Sequence, residues 1–128
     1  LNDQIKIMIV EDEPVILRSI KRGIEQYGEE FYVAAKAYDG KEALDKMMEC
    51  RPDIVISDIV MPQMGGLEMI ERAKTQGVQA KYILLSGYGE FKYAQKAVDI
   101  GVTKYLLKPV DFQELGELLQ EMREDILA

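Results

Sequence analysis

Four apolar runs in this chain each end on a residue that can do chemistry. Residues 5–10 lead into Glu11, Asp12 and Glu13; residues 54–57 lead into Asp58; residues 82–85 lead into Ser86; residues 103–107 lead into Lys108. Carboxylates that share a small volume repel one another unless a proton or a cation intervenes. A hard divalent ion such as Mg²⁺ suits them, because it takes oxygen ligands in near-octahedral geometry and keeps several waters. Beside such an ion Asp58 can attack phosphorus and form an acyl phosphate. The charge that builds on the transferring group would then be met by the ion, by the Lys108 ammonium, and by the Ser86 hydroxyl with nearby backbone N–H groups. Taken singly, each residue has a plainer role: Asp58 as a turn residue or helix cap, Lys108 as a solvated loop charge, Ser86 as a strand-end cap, Glu11 to Glu13 as an acidic helix start. Taken together, at the ends of four separate runs, they favour the chemical reading.

A sheet is what could bring these residues together. Residues 5–10 read as a strand buried on both faces, and Pro14 stands where the first turn of a helix tolerates it. Leu17, Ile20, Ile24 and Tyr27 recur at spacings of three and four, which predicts a first helix stopping near Gly28. Residues 31–37 predict a second strand, and Asp39 with Glu42 three residues later resembles a capping box for a second helix. Ala43, Leu44, Met47 and Met48 form that helix's buried face, which Arg51-Pro52 ends. The third strand lies between Pro52 and Pro62 and leads to Asp58. Beyond the loop at Gly65-Gly66, Leu67, Ile70 and Ala73 predict a third helix closed by Gly77. A fourth strand covers 82–86, a fourth helix carries Phe91, Ala94, Ala97 and Val98 and ends at Gly101, and a fifth strand covers 103–107. Asp111 and Glu114 open a last helix whose Phe112, Leu115, Leu118, Leu119 and Met122 face inward.

Five strand-then-helix units imply an α/β domain, a doubly wound five-stranded parallel sheet with helices on both faces. Ligands of such sheets sit outside the carboxyl ends of the strands, where strand order reverses. All the candidate residues lie at that edge.

With 128 residues the chain is expected to form one domain, burying about two-thirds of the surface that its unfolded form exposes. A single cysteine, Cys50, excludes an internal disulfide framework and fits a reducing compartment, as a packing residue near a helix end. The chain has no histidine. This excludes Ser-His-Asp and Cys-His nucleophiles, histidine-ligated zinc and an internal phosphohistidine. The formal charge is −7, from 23 acids against 16 bases with no long basic run, which argues against direct nucleic-acid contact. No apolar run reaches the roughly 18 residues of a membrane span, and no signal-peptide pattern opens the chain, so a soluble cytoplasmic protein is expected. The chain begins at Leu1 rather than Met and is expected to be a piece of a longer one.

Over its whole length the sequence resembles the receiver domains of bacterial two-component response regulators. Glu11-Asp12 stand at the acidic pair, Asp58 at the phosphoacceptor, Met61-Pro62 in the loop after it, Ser86 at the Ser/Thr switch, Tyr105 at the switch aromatic, and Lys108-Pro109 at the lysine-proline step. The separations, 46 from Asp12 to Asp58, 28 on to Ser86 and 22 on to Lys108, are those of a receiver. The resemblance implies a flavodoxin-like (βα)5 fold with strand order 2-1-3-4-5 and a cis Lys108-Pro109 bond. It implies a phosphoacceptor in a phosphorelay rather than an enzyme acting on other molecules. A sensor histidine kinase would pass a phosphoryl group to Asp58, with Mg²⁺ held by Asp12, Asp58 and the Val60 backbone carbonyl and with Glu11 assisting through water. Phosphorylation would draw in Ser86, Tyr105 would follow, and the surface of the fourth helix, fifth strand and fifth helix would change its partner preference. Residues 87–94 and 105–110 look most like receivers joined to AraC-type helix-turn-helix output domains. Residues 1–128 would then be the N-terminal receiver of a transcription regulator, in which phosphorylation favours a homodimer or releases an inhibitory contact.

Two positions depart from the commonest family pattern. Glu11 replaces an aspartate, which lengthens the reach to a metal-bound water, and Gly65 replaces another, which removes a side-chain cap from the third helix. Val60 and Tyr88 each lie two residues beyond a key residue and are poorly suited to orient a hydrolytic water. Slow self-dephosphorylation is therefore expected. The alternative function is a Mg²⁺-dependent phosphatase of the haloacid dehalogenase type, which shares the aspartate nucleophile. Such enzymes need a second aspartate where Val60 stands, and a cap domain for which this chain has no room. A dinucleotide-binding module is disfavoured because acids, not a Gly-x-Gly-x-x-Gly turn, follow the first strand. A receiver degraded to a scaffold is disfavoured by its retention of acids, hydroxyl and lysine.

Overall fold

Alternation along the first strand sets the architecture. In the computed structural model, which describes residues 4–87 and 104–128, the chain runs β1 (Ile5–Val10), α1 (Pro14–Glu25), β2 (Phe31–Ala37), α2 (Gly40–Cys50), β3 (Ile54–Asp58), α3 (Gly66–Thr75), β4 (Lys81–Ser86), β5 (Lys104–Leu107) and α4 (Phe112–Leu127). Ile5, Ile7 and Ile9 of β1 face one side and pack with Leu17, Ile20 and Ile24 of α1 and Leu115, Leu119 and Met122 of α4. Met8 and Val10 face the other side and pack with Ala43, Leu44 and Met47 of α2 and Leu67, Ile70 and Ala73 of α3. Both faces being covered, β1 and β3 read as near-continuous apolar runs rather than as alternating ones.

The five strands form one parallel sheet, as the strand-helix pattern implied, in the order β2-β1-β3-β4-β5 that the receiver resemblance implied. The chain leaves β1 toward one edge and resumes at β3 toward the other, so the crevice lies beyond the carboxyl ends of β1 and β3. The register pairs Val10 with Ser57, Asp58 with Leu85 and Ser86 with Leu107. Glu11 and Lys108, each one residue further on, thereby come to the edge that carries Asp58.

Several boundaries shift from expectation. α1 stops at Glu25, with Gln26 and Tyr27 N–H groups closing on Gly23 and Ile24 carbonyls before Gly28 turns the chain at φ +124°. Met48, expected in the core, is 51% exposed. Met47 takes the inward position, and one further residue rotates the side chain by about 100° around the helix. At the start of α2, Asp39 accepts from the Glu42 N–H, but Glu42 Oε1 accepts from Tyr38 N–H rather than from the cap residue's own. Gly65 leaves α3 without a side-chain cap, and Gly77, at φ +84°, ends it with paired bonds from Gly77 and Val78 to Lys74 and Ala73 carbonyls. Asp111 caps α4 through the Gln113 and Glu114 N–H groups. The Lys108–Pro109 bond is cis. The predicted fourth helix, with Phe91, Ala94, Ala97 and Val98, and the start of the fifth strand at Thr103 lie outside the described residues. No helix among the described residues is long and apolar enough to cross a membrane.

Candidate functional site

Lys108 joins two strand ends. Its own N–H is fixed to the Ser86 carbonyl at 2.7 Å, and its side chain turns back across the sheet edge. Nζ donates to Asp58 Oδ2 at 2.9 Å and lies 3.0 Å from Glu11 Oε1. Asp58, at the end of β3, is 6% exposed, and Glu11, just past β1, is 0% exposed. The Glu11 backbone is held by its N–H to the Ala37 carbonyl at 3.0 Å, and its Oε2 accepts from Glu13 N–H at 3.1 Å. Oε1 faces the Lys108 ammonium.

Burial raises the Glu11 pKa to about 7; the Glu13 N–H and Lys108 oppose that rise, while Asp12 and Asp58 reinforce it. For Lys108, burial works to lower the pKa, but hydrogen bonds and charge from Asp58 and Glu11 outweigh it and hold the group above its ordinary value. Lys108 therefore stays an ammonium at neutral pH.

Asp12, half-buried, completes the cluster: carboxylate oxygens of Glu11, Asp12 and Asp58 all lie within 4.8 Å of one another. Among the described residues, Lys108 pairs with two of these three carboxylates, Glu11 and Asp58. Hard oxygen donors so grouped fit a divalent ion such as Mg²⁺.

The sequence-predicted residues divide clearly. Glu11, Asp12, Asp58 and Lys108 come together. Glu13 does not join them: it is exposed and contributes only its N–H. Ser86 reaches the edge fully buried, but its Oγ donates to the Tyr105 hydroxyl at 2.6 Å. Tyr105 is half-buried against the core that lies under α2 and α3. The Val60 side chain is 50% exposed; Tyr88 lies outside the described residues. Sequence reasoning passed over Ser57, whose signal was a polar residue inside an otherwise apolar strand. It also passed over the close approaches of Gly40 to the Met64 carbonyl and of Gly66 to the Asp58 carbonyl, which leave little trace in a sequence.

Known proteins resemble this chain in sequence and in fold. The chain is 39% identical over 117 residues to the uncharacterized transcriptional regulatory protein YesN of Bacillus subtilis, covering 91% of this chain and 32% of that protein. It is 32% identical over 122 residues to the transcriptional regulatory protein HptR of Staphylococcus aureus, covering 95% and 48%. The chain thus spans a third to a half of the length of these relatives. Among solved structures it resembles the REC domain of AraT, a response regulator from Geobacillus stearothermophilus, with a TM-score of 0.86, 35% identity and 95% of each chain covered. A DNA-binding response regulator of the LuxR family from Staphylococcus aureus matches with a TM-score of 0.85 and 28% identity over 93% of this chain and 98% of that one. None of these supports a haloacid dehalogenase-type phosphatase. The model of the response regulator receiver domain matches residues 7–120, a span that runs from within β1 into α4 and takes in every carboxylate and the lysine of the cluster, so the chain belongs to that family.

Proposed function

We propose that the chain takes a phosphoryl group onto Asp58 and thereby switches a surface that controls an attached output domain. One observation carries this reading: the Lys108 ammonium held between Asp58 and Glu11, at 2.9 and 3.0 Å, within a cluster of three carboxylates. An Asp58 oxygen attacks phosphorus, and the bond from phosphorus to the donor nitrogen breaks. The family to which the chain belongs points to the phosphohistidine of a sensor kinase as the donor; this chain has no histidine of its own. Lys108 moves its donated hydrogen bond from the free carboxylate to a phosphoryl oxygen, and Ser86 supplies a second donor. Mg²⁺ would be held by Asp12, Asp58 and the Val60 carbonyl, with Glu11 acting through water, and would neutralise charge on the carboxylate and the incoming group.

The proposed whole protein is a transcription regulator with this chain as its N-terminal receiver. The AraC-type assignment of its output domain rests on residues 87–94 and 105–110 alone, most of the first stretch lying outside the described residues. Phosphorylation is proposed to favour a homodimer or release an inhibitory contact, through the face that includes β5 and α4. The test is intact mass after incubation with a small acyl phosphate, with and without Mg²⁺, beside Asp58→Ala. One added phosphoryl group that requires both Mg²⁺ and Asp58 is the expected result. A folded wild-type chain that takes no group from an acyl phosphate or from phosphohistidine donors would overturn the reading.

A further inference from the structure

Ser57 is out of place in its strand. Ile54, Val55 and Ile56 before it are fully buried and apolar, and Ser57 itself is 0% exposed. A buried hydroxyl must find a partner to offset its lost hydration, and alanine at this position would avoid that cost altogether. The partner is close at hand: Ser57 Oγ donates to the main-chain carbonyl of Asp58 at 2.9 Å. The same carbonyl is crowded by α3. A Cβ added to Gly66 would lie 2.4 Å from Asp58 O and 3.1 Å from Ser57 Oγ, so only glycine lets the helix start here. The following residue is held from two sides as well, the Ile59 carbonyl by Gly66 N–H at 2.8 Å and the Ile59 N–H by the Leu85 carbonyl at 3.1 Å. The peptide joining Asp58 to Ile59 thus has little freedom to tilt. Both the acceptor carboxylate and the Val60 carbonyl, two residues on, depend on its orientation.

We propose that Ser57 is a positioning residue for phosphoryl acceptance, its hydroxyl fixing the peptide after Asp58 and so aiming the Asp58 carboxylate. This rests on the reading of Asp58 as the acceptor. Small misplacements of a nucleophile are costly because attack on phosphorus must be in line.

The test compares wild type with Ser57→Ala, Ser57→Cys and Ser57→Thr. Cysteine fills the site with a somewhat larger atom and offers only a weak donor, whereas threonine keeps the hydroxyl. Two quantities are read: the rate of phosphoryl uptake from acetyl phosphate at saturating Mg²⁺, and amide hydrogen exchange at Ile59 without donor or metal. With the hydroxyl lost, the maximal rate should fall about tenfold at an unchanged half-saturating donor concentration, and Ile59 exchange should quicken. Threonine should restore both. Ser57→Ala or Ser57→Cys variants within twofold of wild type in rate, with Ile59 exchange unchanged, would overturn the proposal. If wild type itself takes no phosphoryl group, the acceptor reading fails, and the Ile59 exchange still decides whether Ser57 holds the peptide.

Discussion

The Ser86 hydroxyl donates to the Tyr105 hydroxyl across 2.6 Å, linking the end of β4 to the middle of β5. Ser86 has one proton to give. A phosphoryl group on Asp58 would compete with Tyr105 for it, which couples the acceptor to the face that carries β5. Removing the tyrosine hydroxyl ends the competition. A partly buried hydrogen bond of this kind is worth about 1 kcal/mol net, so Tyr105→Phe is expected to speed phosphoryl uptake by up to about fivefold, and Ser86→Ala to slow it. Uptake rates followed by intact mass check this; equal rates for Tyr105→Phe and wild type would show that the proton is not shared.

Lys108→Ala should separate metal binding from phosphoryl transfer. The ammonium now sits between Glu11 and Asp58, where it competes with a cation for the same carboxylates. Its removal should tighten Mg²⁺ binding, measured by titration calorimetry, while slowing phosphoryl uptake at least about tenfold through loss of a charge on the transferring group. Without Mg²⁺ the variant should melt lower than wild type, since two buried carboxylates lose their partner.

Glu11 sets a pH dependence. Its folded pKa, about 7, lies above the ordinary 4.5. A carboxyl raised in the fold adds stability that is complete below pH 4.5 and is lost as pH rises through about 7. In the absence of divalent ions, Glu11→Gln should therefore gain melting temperature relative to wild type on going from pH 5 to pH 8. Mg²⁺ should raise the wild-type melting temperature more at pH 8 than at pH 5. A Glu11→Gln difference that stays constant with pH would contradict the assignment.

Gly66 and Gly77 offer a contrast in what glycine is for. A side chain at Gly66 would meet the Asp58 backbone carbonyl at 2.4 Å, whereas at Gly77 it would meet nothing within 4 Å, and only φ +84° opposes it. Gly77→Ala should cost about 1 kcal/mol, the strain of a left-handed residue. Gly66→Ala should cost about 2 to 3 kcal/mol despite alanine's better helix propensity, because a backbone carbonyl has little room to yield. Urea unfolding of both variants measures the two values.

Lifetime of the phosphorylated chain should respond to Val60 and Tyr88. The Val60 side chain is 50% exposed beyond Asp58 and has no polar group to place a water. Val60→Asn with Tyr88→Glu should hasten decay by about tenfold by orienting an in-line water. Decay of the phosphoryl mass increment after removal of donor measures it, and an unchanged rate would sink the idea.

Local pattern was enough to place most elements. The apolar run of β1 and the bracketing prolines of β3 announce buried strands, Asp111 announces the start of α4, and Gly77 the end of α3, because each signal is carried by residues within a turn or two of one another. The run endings also pointed to Glu11, Asp12, Asp58, Ser86 and Lys108, since in a parallel sheet all strand ends of one sense share an edge. The tertiary structure alone decided what those residues do to one another. That Lys108 bridges Asp58 and Glu11, that Glu13 stays outside, that Ser86 is bonded to Tyr105, and that Met47 rather than Met48 meets the core all depend on sheet register and helix rotation. So does the tight seat of Gly66 on the Asp58 carbonyl, the same oxygen to which the Ser57 hydroxyl donates. Sequence periodicity specifies which face a residue takes within its own element, whereas a pKa or a hydrogen bond depends on distances of a few ångströms between residues far apart in the chain, and packing sets those distances.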